Sequence, residues 1–193
     1  NLFKNVIFTE PSQKLITKAQ QRLKKFNNIN YQIGRFEAIK VNSYTPQVVI
    51  MVRVAHHLNN LDQVFNKIAQ MLPSGGFFIL EFANKINFKS RLKALFSGDI
   101  KVLNTPASID RRSSHNINQN NILFLNHHPE KIYQLLKKND FKIRGKLSVS
   151  NFRSPFLKKI IPLKILLFLE KISQKPLAKL DFGPSIFLLA KKK

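Results

Sequence analysis

Residues 47–85 constrain the fold of this chain more than any other stretch of its sequence. Residues 48–52 and 77–80 are short, continuously apolar runs, which is typical of parallel strands that are buried on both faces. Between them, apolar residues at helical spacing predict an amphipathic helix: Leu61, Val64, Phe65, Ile68, Ala69 and Leu72. The stretch therefore predicts a strand–helix–strand crossover.

Both ends of this predicted helix carry residues that commonly limit a helix. Asn60 or Asp62 can cap its first turn. The sequence Ser74-Gly75-Gly76 ends it, and the two glycines permit a tight reversal of the chain into the second strand.

Composition is typical of a folded globular protein. The 193 residues suit a single domain with a sizeable core, and a hydrophobic content of 44% argues against disorder. The absence of cysteine excludes disulfides and thiolate metal sites. Because the sequence has no apolar run of membrane-spanning length and no signal-peptide pattern, we expect a cytoplasmic protein.

The formal net charge of +23 leaves two interpretations open. Clustered basic residues neutralise phosphates, so the charge suits a nucleic acid or an anionic membrane as partner. However, the chain has 25 lysines and only 8 arginines, whereas nucleic-acid sites often use the planar fork of arginine. A compositional bias that fills the surface with lysine is therefore favoured, and a polyanionic partner is the alternative.

The sequence before residue 47 predicts one further strand–helix–strand arrangement. Residues 5–9 form the first predicted strand, Ser12 can cap the helix that follows, and residues 31–33 form a second short strand.

The sequence after residue 85 predicts helices and strands around one long irregular segment. A basic helix at 88–95 precedes residues 97–126, which show no sustained periodicity; loops this long are usually functional or mobile. Pro129 suits the first residue of a helix. Alternating apolar and polar residues at 141–149 predict a half-exposed antiparallel strand, and a last strand is expected at 185–190.

Residues 155–180 predict a helical segment that is broken at Pro162 and contains the apolar run 165–169. A helix packed in the core is the favoured interpretation of this run. An interfacial helix on a membrane is the alternative, because four lysines flank the run: Lys158, Lys159, Lys164 and Lys171.

Four motifs, taken in order, resemble the class I S-adenosylmethionine-dependent methyltransferases and cover most of residues 5–90. They are FTEPS at 8–12, GRFEAI at 34–39, VRVAHHLNN at 52–60 and MLPSGGFFILEF at 71–82. The resemblance implies an α/β, Rossmann-like doubly wound sheet that is mostly parallel, with an antiparallel C-terminal strand pair. It also implies S-adenosyl-L-methionine as the cofactor.

The first two motifs imply contacts with the nucleoside of the cofactor. By resemblance, Glu10 accepts the ribose hydroxyls and Pro11 lies beside it, whereas Arg35 and Phe36 border the adenine. Arg35 stands where the family often has an aspartate that bonds the adenine amino group, which leaves the backbone and Phe36 as contacts. An acid favoured by the helix dipole and an ordinary turn are the alternative explanations of the two motifs.

The third motif implies the methionine end of the cofactor and the acceptor side. By resemblance, Val52 and Arg53 line the methionine end, and His56 and His57 face the pocket, with His57 or His56 as the candidate catalytic base. A structural role, with His57 packed over the following helix, is the alternative. Two adjacent histidines are a poor metal site without a third ligand, so no metal is predicted.

The resemblance also identifies what the sequence lacks. The family's first strand and glycine-rich cofactor loop would precede Asn1, and none of the six glycines lies in a GxGxG run. We therefore expect a chain that is truncated before this loop, a sheet without its first strand, and a fragment that is itself inactive.

No motif specifies the methyl acceptor. Residues 97–126 and 152–180 are expected to form substrate-side insert or cap segments, and Arg111, Arg112 and Arg153 are candidate contacts for an anionic acceptor, or else solvated surface. The leading hypothesis is methyl transfer to a small molecule or lipid-like compound. The alternatives are an RNA methyltransferase and a non-catalytic basic module that binds RNA or an anionic membrane.

Overall fold

The computed structural model describes residues 3–38, 45–119 and 121–193, apart from the side chain of Glu37. Ile39, the last residue of the GRFEAI motif, lies outside the described residues. The contacts between residues divide the chain into two compact units, Asn1–Tyr44 and Thr45–Lys193.

The first unit contains one parallel strand pair and the helix that connects it. Strand β1 (Val6–Glu10) runs parallel to β2 (Ile29–Ile33), and helix α1 (Gln13–Arg22) lies between them in the chain. The Ser12 side chain caps α1 by accepting a hydrogen bond from the backbone N–H of Leu15. Because the strands are parallel, their carboxyl ends lie at the same edge.

The second unit contains thirteen α-helices and β-strands among its described residues, in addition to the short 3-10 helix Ala55–His57. In chain order they are β3 (Val48–Met51), α2 (Leu61–Met71), β4 (Phe77–Ala83), α3 (Phe88–Ser97), α4 (Lys101–Asn104), β5 (Ile109–Asp110), α5 (Ser114–Asn118), β6 (Leu125–Asn126), α6 (Pro129–Lys138), β7 (Phe141–Val149), α7 (Pro155–Ile160), α8 (Leu163–Ala178) and β8 (Ser185–Lys192).

A four-stranded mixed sheet organises this unit, with the strand order β3–β4–β8–β7. Strands β3 and β4 are parallel, whereas β8 is antiparallel to both of its neighbours. The predicted α/β class, the crossover through α2 and the antiparallel C-terminal strand pair are confirmed.

Helix α2 packs on the sheet with the face that the sequence predicted. Asn60 caps it by accepting from the N–H of Gln63, and its apolar stripe is buried. The Phe65 ring meets Phe78 of β4 edge-on at a centroid distance of 5.4 Å, and Phe78 lies 5.7 Å from Phe141 of β7. The aromatic core therefore joins the helix to two strands of the sheet.

Strands β3 and β4 differ from the prediction in burial and in length. Ile50 of β3 is 56% exposed, so this edge strand is not buried on both faces. Strand β4 continues past Leu80 to Ala83, since the carboxylate of Glu81 is buried with hydrogen-bond partners and does not interrupt the strand.

Two segments differ from what the sequence pattern predicted, one in its secondary structure and the other in its burial. Residues 97–126 contain α4, α5 and the short antiparallel pair β5–β6. The break at Pro162 between α7 and α8 is confirmed, but packing of the run 165–169 in the core is wrong for most of it, because Leu166 alone is buried in this run. No helix in the described parts of the chain is long and apolar enough to cross a membrane.

Candidate active site

The residues of the first unit that are predicted to contact the nucleoside lie next to one backbone hydrogen bond. Gly34, in the turn after β2, donates its N–H to the carbonyl oxygen of Glu10 at 3.2 Å. Gly34 has a φ of +149°, which favours glycine. Pro11 follows Glu10, and Arg35 and Phe36 follow Gly34, so the structure brings all four predicted residues to one edge of the strand pair.

The carboxylate of Glu10 is half-buried and oriented by the backbone. Its Oε1 accepts a hydrogen bond from the N–H of Ser12 at 3.0 Å, at the start of α1. Within residues 3–38, Oε2 has no hydrogen-bond partner, so it is available to accept from a ligand hydroxyl. The exposed Arg35 offers only donors.

In the second unit, a strained turn follows β3. Arg53 has a φ of +59°, a left-handed conformation that costs a non-glycine residue about 1 kcal/mol or more. The backbone N–H of Arg53 donates to Oε2 of Glu81 at 2.7 Å, while the hydroxyl of Ser185 donates to Oε1 of the same carboxylate. Strands β4 and β8 therefore hold the turn that carries Val52 and Arg53 in place.

Glu81 is a site residue that sequence reasoning missed. The available signal was a single carboxylate inside the apolar strand β4, since a buried charge requires partners. The partners themselves are 28 and 104 residues away in the chain, so no local pattern identified them.

His56 is buried in a cluster of rings. Its ring centroid lies 4.1 Å from that of His57 and 4.6 Å from that of Phe124. Burial, followed by the nearby His57, lowers the pKa of His56 from 6.5 to about 4, so His56 is neutral near pH 7. Its Nδ1 atom is buried and has no hydrogen-bond partner within the described part of the chain.

His57 is exposed, and one of its ring nitrogens is fixed by the backbone. Nδ1 lies 2.6 Å from the carbonyl oxygen of Leu123. Because a carbonyl oxygen only accepts, Nδ1 carries the proton, and the lone pair of the neutral ring is on Nε2. The ring therefore presents an oriented proton acceptor at the carboxyl end of β3.

His127 links the insert to the turn that carries both histidines. Its Nε2 donates to the carbonyl oxygen of Ala55 at 3.0 Å, and the hydroxyl of Ser108 donates to its Nδ1 at 2.9 Å. Burial lowers the pKa of His127. Sequence reasoning missed this role as well, because the HHP sequence at 127–129 resembles an ordinary helix start.

Metal ligation finds no support in the described residues. Within residues 3–38, 45–119 and 121–193, no group of three or more histidine, aspartate or glutamate side chains is placed to hold a metal ion. Both ring nitrogens of His127 already have partners.

A buried lysine fixes the insert to the end of β4. The Lys85 ammonium donates to the carbonyl oxygens of Thr105 at 2.5 Å and Ala107 at 2.8 Å. Burial, followed by the charge of Arg111, lowers the pKa of Lys85. These bonds hold the segment between α4 and β5 against the strand end that also carries Glu81.

The three candidate arginines occupy different surroundings. Arg112 pairs with Asp110 at 2.7 Å and donates to the carbonyl oxygen of Asn121 at 2.5 Å, so its guanidinium ties the insert together. Arg111 is exposed and donates to the Ser90 hydroxyl at 3.2 Å. Arg153 is exposed in the loop between β7 and α7.

The structure thus groups the predicted site residues into two sets. Glu10, Pro11, Arg35 and Phe36 lie at one edge of the first unit. Val52, Arg53, His56 and His57 follow β3 in the second unit, where Glu81 and His127 support them.

Comparison with known families and structures finds similarity to methyltransferases. The family model described as "Methyltransferase domain" matches residues 1–80. An inferred S-adenosylmethionine-dependent methyltransferase from Listeria monocytogenes has a TM-score of 0.65 at 15% identity, over 98% of this chain and 80% of the other. A Mesorhizobium loti S-adenosylmethionine-dependent methyltransferase has a TM-score of 0.60 at 11% identity, over 98% and 81%.

A further similar structure was determined with a product of the cofactor. Magnesium protoporphyrin IX methyltransferase from Synechocystis, with bound SAH, has a TM-score of 0.57 at 16% identity, over 98% of this chain and 64% of the other. No curated protein sequence matches the chain.

The fold of the chain is similar to that of S-adenosylmethionine-dependent methyltransferases. The match to the methyltransferase domain model covers residues 1–80, which is less than half of the chain. Two of these similar structures are S-adenosylmethionine-dependent methyltransferases, and a third contains bound SAH.

Proposed function

We infer that the chain forms part of a cytoplasmic enzyme that transfers the methyl group of S-adenosylmethionine to a small molecule or lipid-like acceptor. The observation that carries this proposal is the His57 ring, whose Nδ1–H is held by Leu123 while Nε2 has no hydrogen-bond partner among the described residues. An oriented imidazole whose lone pair lies on Nε2 suits an acceptor hydroxyl or amine that must lose a proton.

The proposed cofactor contacts follow the motif resemblance within each unit. The free Oε2 of Glu10 accepts hydrogen bonds from the ribose hydroxyls. Phe36 and the backbone beside Pro11 and Arg35 border the adenine, while Val52 and Arg53 border the methionine end. The donor set fits the group, since a carboxylate meets the hydroxyls and an aromatic ring meets the base.

His57 and His56 have different proposed roles on the acceptor side. His57 accepts the acceptor's proton at Nε2, and the fixed Nδ1–H keeps the ring oriented. The buried, neutral His56 supports the ring by packing against it. Much of the rate would come from holding the acceptor in line with the sulfonium methyl group, which needs orientation rather than charge.

Arg111 and Arg153 remain the proposed contacts for an anionic group on the acceptor. Arg112 is the weaker candidate of the three, because Asp110 and Asn121 already bind its guanidinium. The segments 97–126 and 152–180, which carry these arginines, are proposed as the substrate-side insert and cap of a single methyltransferase domain.

Low activity of the 193 residues alone is part of the proposal. Arg35 cannot accept a hydrogen bond from the adenine amino group, and no GxGxG run is present in the sequence. We therefore expect weak binding of S-adenosylhomocysteine. Tight, stoichiometric binding in a calorimetric titration of this chain would contradict this part.

The His57→Ala variant tests the catalytic role. Release of S-adenosylhomocysteine is measured at high enzyme concentration against phenolic, amine and lipid-headgroup acceptors. With any acceptor that reacts, we expect the variant to be at least about tenfold slower, because a general base typically contributes that much or more. His115→Ala, at an exposed histidine of α5, is the matched control and should keep the wild-type rate.

A second readout does not depend on activity. Nitrogen-15 NMR of the imidazole rings should show His57 as the Nδ1–H tautomer, as the contact with Leu123 requires. An Nε2–H ring, or a His57→Ala rate equal to the wild type, would leave His57 with a packing role only.

A basic cleft favours RNA binding as a second candidate function. Lys142 and Lys191 face each other on β7 and β8, and with Arg144 they line a cleft of about 220 Å³. Like charges opposite each other are destabilising unless an anion joins them. An RNA methyltransferase or a non-catalytic basic module would show RNA binding that weakens steeply with salt; weak binding with a shallow salt dependence would remove both.

A further inference from the structure

Helix α8 is anchored in one orientation by its inner side. Glu170 accepts hydrogen bonds from the backbone N–H groups of Asn151 and Phe152, each at 3.3 Å, and from the side-chain amide of Asn151 at 3.1 Å. One turn earlier, Leu166 is buried. With about 100° per residue, these two side chains point to the same side of the helix, toward β7 and the loop that follows it.

The opposite side of α8 carries an exposed apolar stripe. Ile165, Phe168 and Ile172 follow one another at spacings of three and four residues and are 50%, 61% and 53% exposed. In the preceding helix α7, Phe156 and Ile160 are a further pair at helical spacing, with 68% and 62% exposure. Exposed apolar residues that follow one another along a helix in this way mark an interaction surface.

A stripe of lysines runs beside the apolar stripe. Lys164, Lys171 and Lys175 lie at spacings of seven and four residues, about 70° around the helix from the apolar stripe, and all are exposed. Lys158 and Lys159 add two charges in α7. Glu170 is the only carboxylate of the two helices, and it is turned inward, so every charged side chain on the outer surface is a lysine.

We propose that α7 and α8 form a surface that docks onto an anionic phospholipid bilayer. The apolar stripe enters the boundary between headgroups and acyl chains, and the lysines reach the phosphates beside it with their aliphatic stems on the apolar layer. An RNA backbone complements the lysines but offers nothing to Ile165 and Ile172. This inference goes beyond the methyl transfer, because docking requires neither cofactor nor acceptor.

Vesicle co-sedimentation tests the surface directly. The probes are vesicles of phosphatidylcholine with 30% phosphatidylglycerol, and vesicles of phosphatidylcholine alone. The chain should bind the anionic vesicles and bind the neutral ones at least about tenfold more weakly. The triple variants Lys164→Glu/Lys171→Glu/Lys175→Glu and Ile165→Ser/Phe168→Ser/Ile172→Ser should each weaken anionic binding by about tenfold or more.

Matched controls distinguish binding through this surface from non-specific binding through net charge or other exposed apolar side chains. Lys14→Glu/Lys18→Glu/Lys24→Glu removes the same charge from exposed positions of the first unit, and Leu95→Ser/Phe96→Ser removes exposed apolar side chains from α3. Both control variants should bind anionic vesicles within about twofold of the wild type. A loss equal to that of the α8 variants would overturn the proposal.

The absence of tryptophan allows a site-specific probe. Phe168→Trp should show a blue-shifted emission when anionic vesicles are added, because the indole leaves water, whereas Phe96→Trp should not shift. Three other results would overturn the proposal. The first is that the chain binds neutral vesicles as strongly as anionic ones. The second is that the α8 variants lose binding to oligouridine but keep binding to vesicles. The third is that the chain forms a concentration-dependent dimer that the Ile165→Ser/Phe168→Ser/Ile172→Ser variant abolishes.

Discussion

The side chains of His56 and His57 follow each other in the chain but differ in almost every physical respect. His56 is enclosed by the rings of His57 and Phe124 and is held neutral, whereas His57 is exposed and hydrogen-bonded to Leu123. This difference supports His57 as the acceptor-facing residue and gives His56 a measurable influence on stability.

Acidification should destabilise the fold through His56. The folded pKa of about 4 lies below the unfolded value of 6.5, so the contribution is complete above pH 6.5 and is lost as the pH falls toward 4. The free energy of unfolding should fall by about 3 kcal/mol over this range. His127, whose pKa is also lowered by burial, acts in the same direction.

Urea unfolding at several pH values measures this effect. In the His56→Leu variant, the free energy of unfolding should depend less steeply on pH between 6.5 and 4. In His115→Leu, at an exposed position, this dependence should be unchanged. An unchanged slope in His56→Leu would show that the ring is not buried as the structure has it.

Arg53 and Asp140 allow strain to be separated from ligand contact. They have φ angles of +59° and +61°, so substitution by glycine should stabilise the fold at either position by up to about 1 kcal/mol. In the proposed site only Arg53 borders the cofactor. Arg53→Gly should therefore weaken S-adenosylhomocysteine binding severalfold, and Asp140→Gly should not.

Thermal unfolding and ligand titration measure the two effects separately. Equal binding by the wild type and by both variants would remove Arg53 from the cofactor site. A large loss of stability in Arg53→Gly would show that the arginine side chain, and not the backbone bond to Glu81, secures the turn.

At the scale of elements, periodicity predicted the parts of the fold that bury a regular face. Helix α2 and the antiparallel strand β7 were expected from the spacing of their apolar residues, and the start of helix α6 from Pro129. Helix α8 differs, because the run 165–169 is apolar all around and carries no information on which side faces the core. Its orientation depends on the contact of Glu170 with residues 18 and 19 positions earlier.

The insert shows a second limit of local pattern. Residues 97–126 show no regular spacing of apolar residues. Their position depends instead on single long-range hydrogen bonds, above all those of Lys85 to Thr105 and Ala107. A sequence alone gives no signal that one lysine among 25 is buried.

Lys85→Met should therefore loosen the insert. The variant keeps the length of the side chain but leaves the carbonyl oxygens of Thr105 and Ala107 without their donor, which should cost about 2 kcal/mol. Hydrogen exchange should accelerate at residues 101–110. Lys101→Met, at an exposed position of α4, is the matched control. Unchanged exchange in Lys85→Met would contradict this account of the insert.

At the scale of the whole molecule, the resemblance located the strand ends of the candidate site, and the structure added the residues that support them. Glu10 and Arg53 were expected from the motifs FTEPS and VRVAHHLNN. Glu81 and His127 were not, because their partners in the site lie 28 or more residues away. The motifs contain the residues that are proposed to contact a ligand. The contacts that hold those residues in place form only when the chain is folded.

The central claim is that the edges defined by Glu10, Phe36, Arg53 and His57 bind the cofactor and face the acceptor. Titration of the nitrogen-15-labelled chain with S-adenosylhomocysteine, up to millimolar concentration, tests it even if binding is weak. The account predicts saturable shifts of the backbone amides of these four residues, with no shifts in α8 or at the basic cleft around Lys142. An absence of saturable shifts at these residues, or shifts confined to the basic cleft, would contradict it.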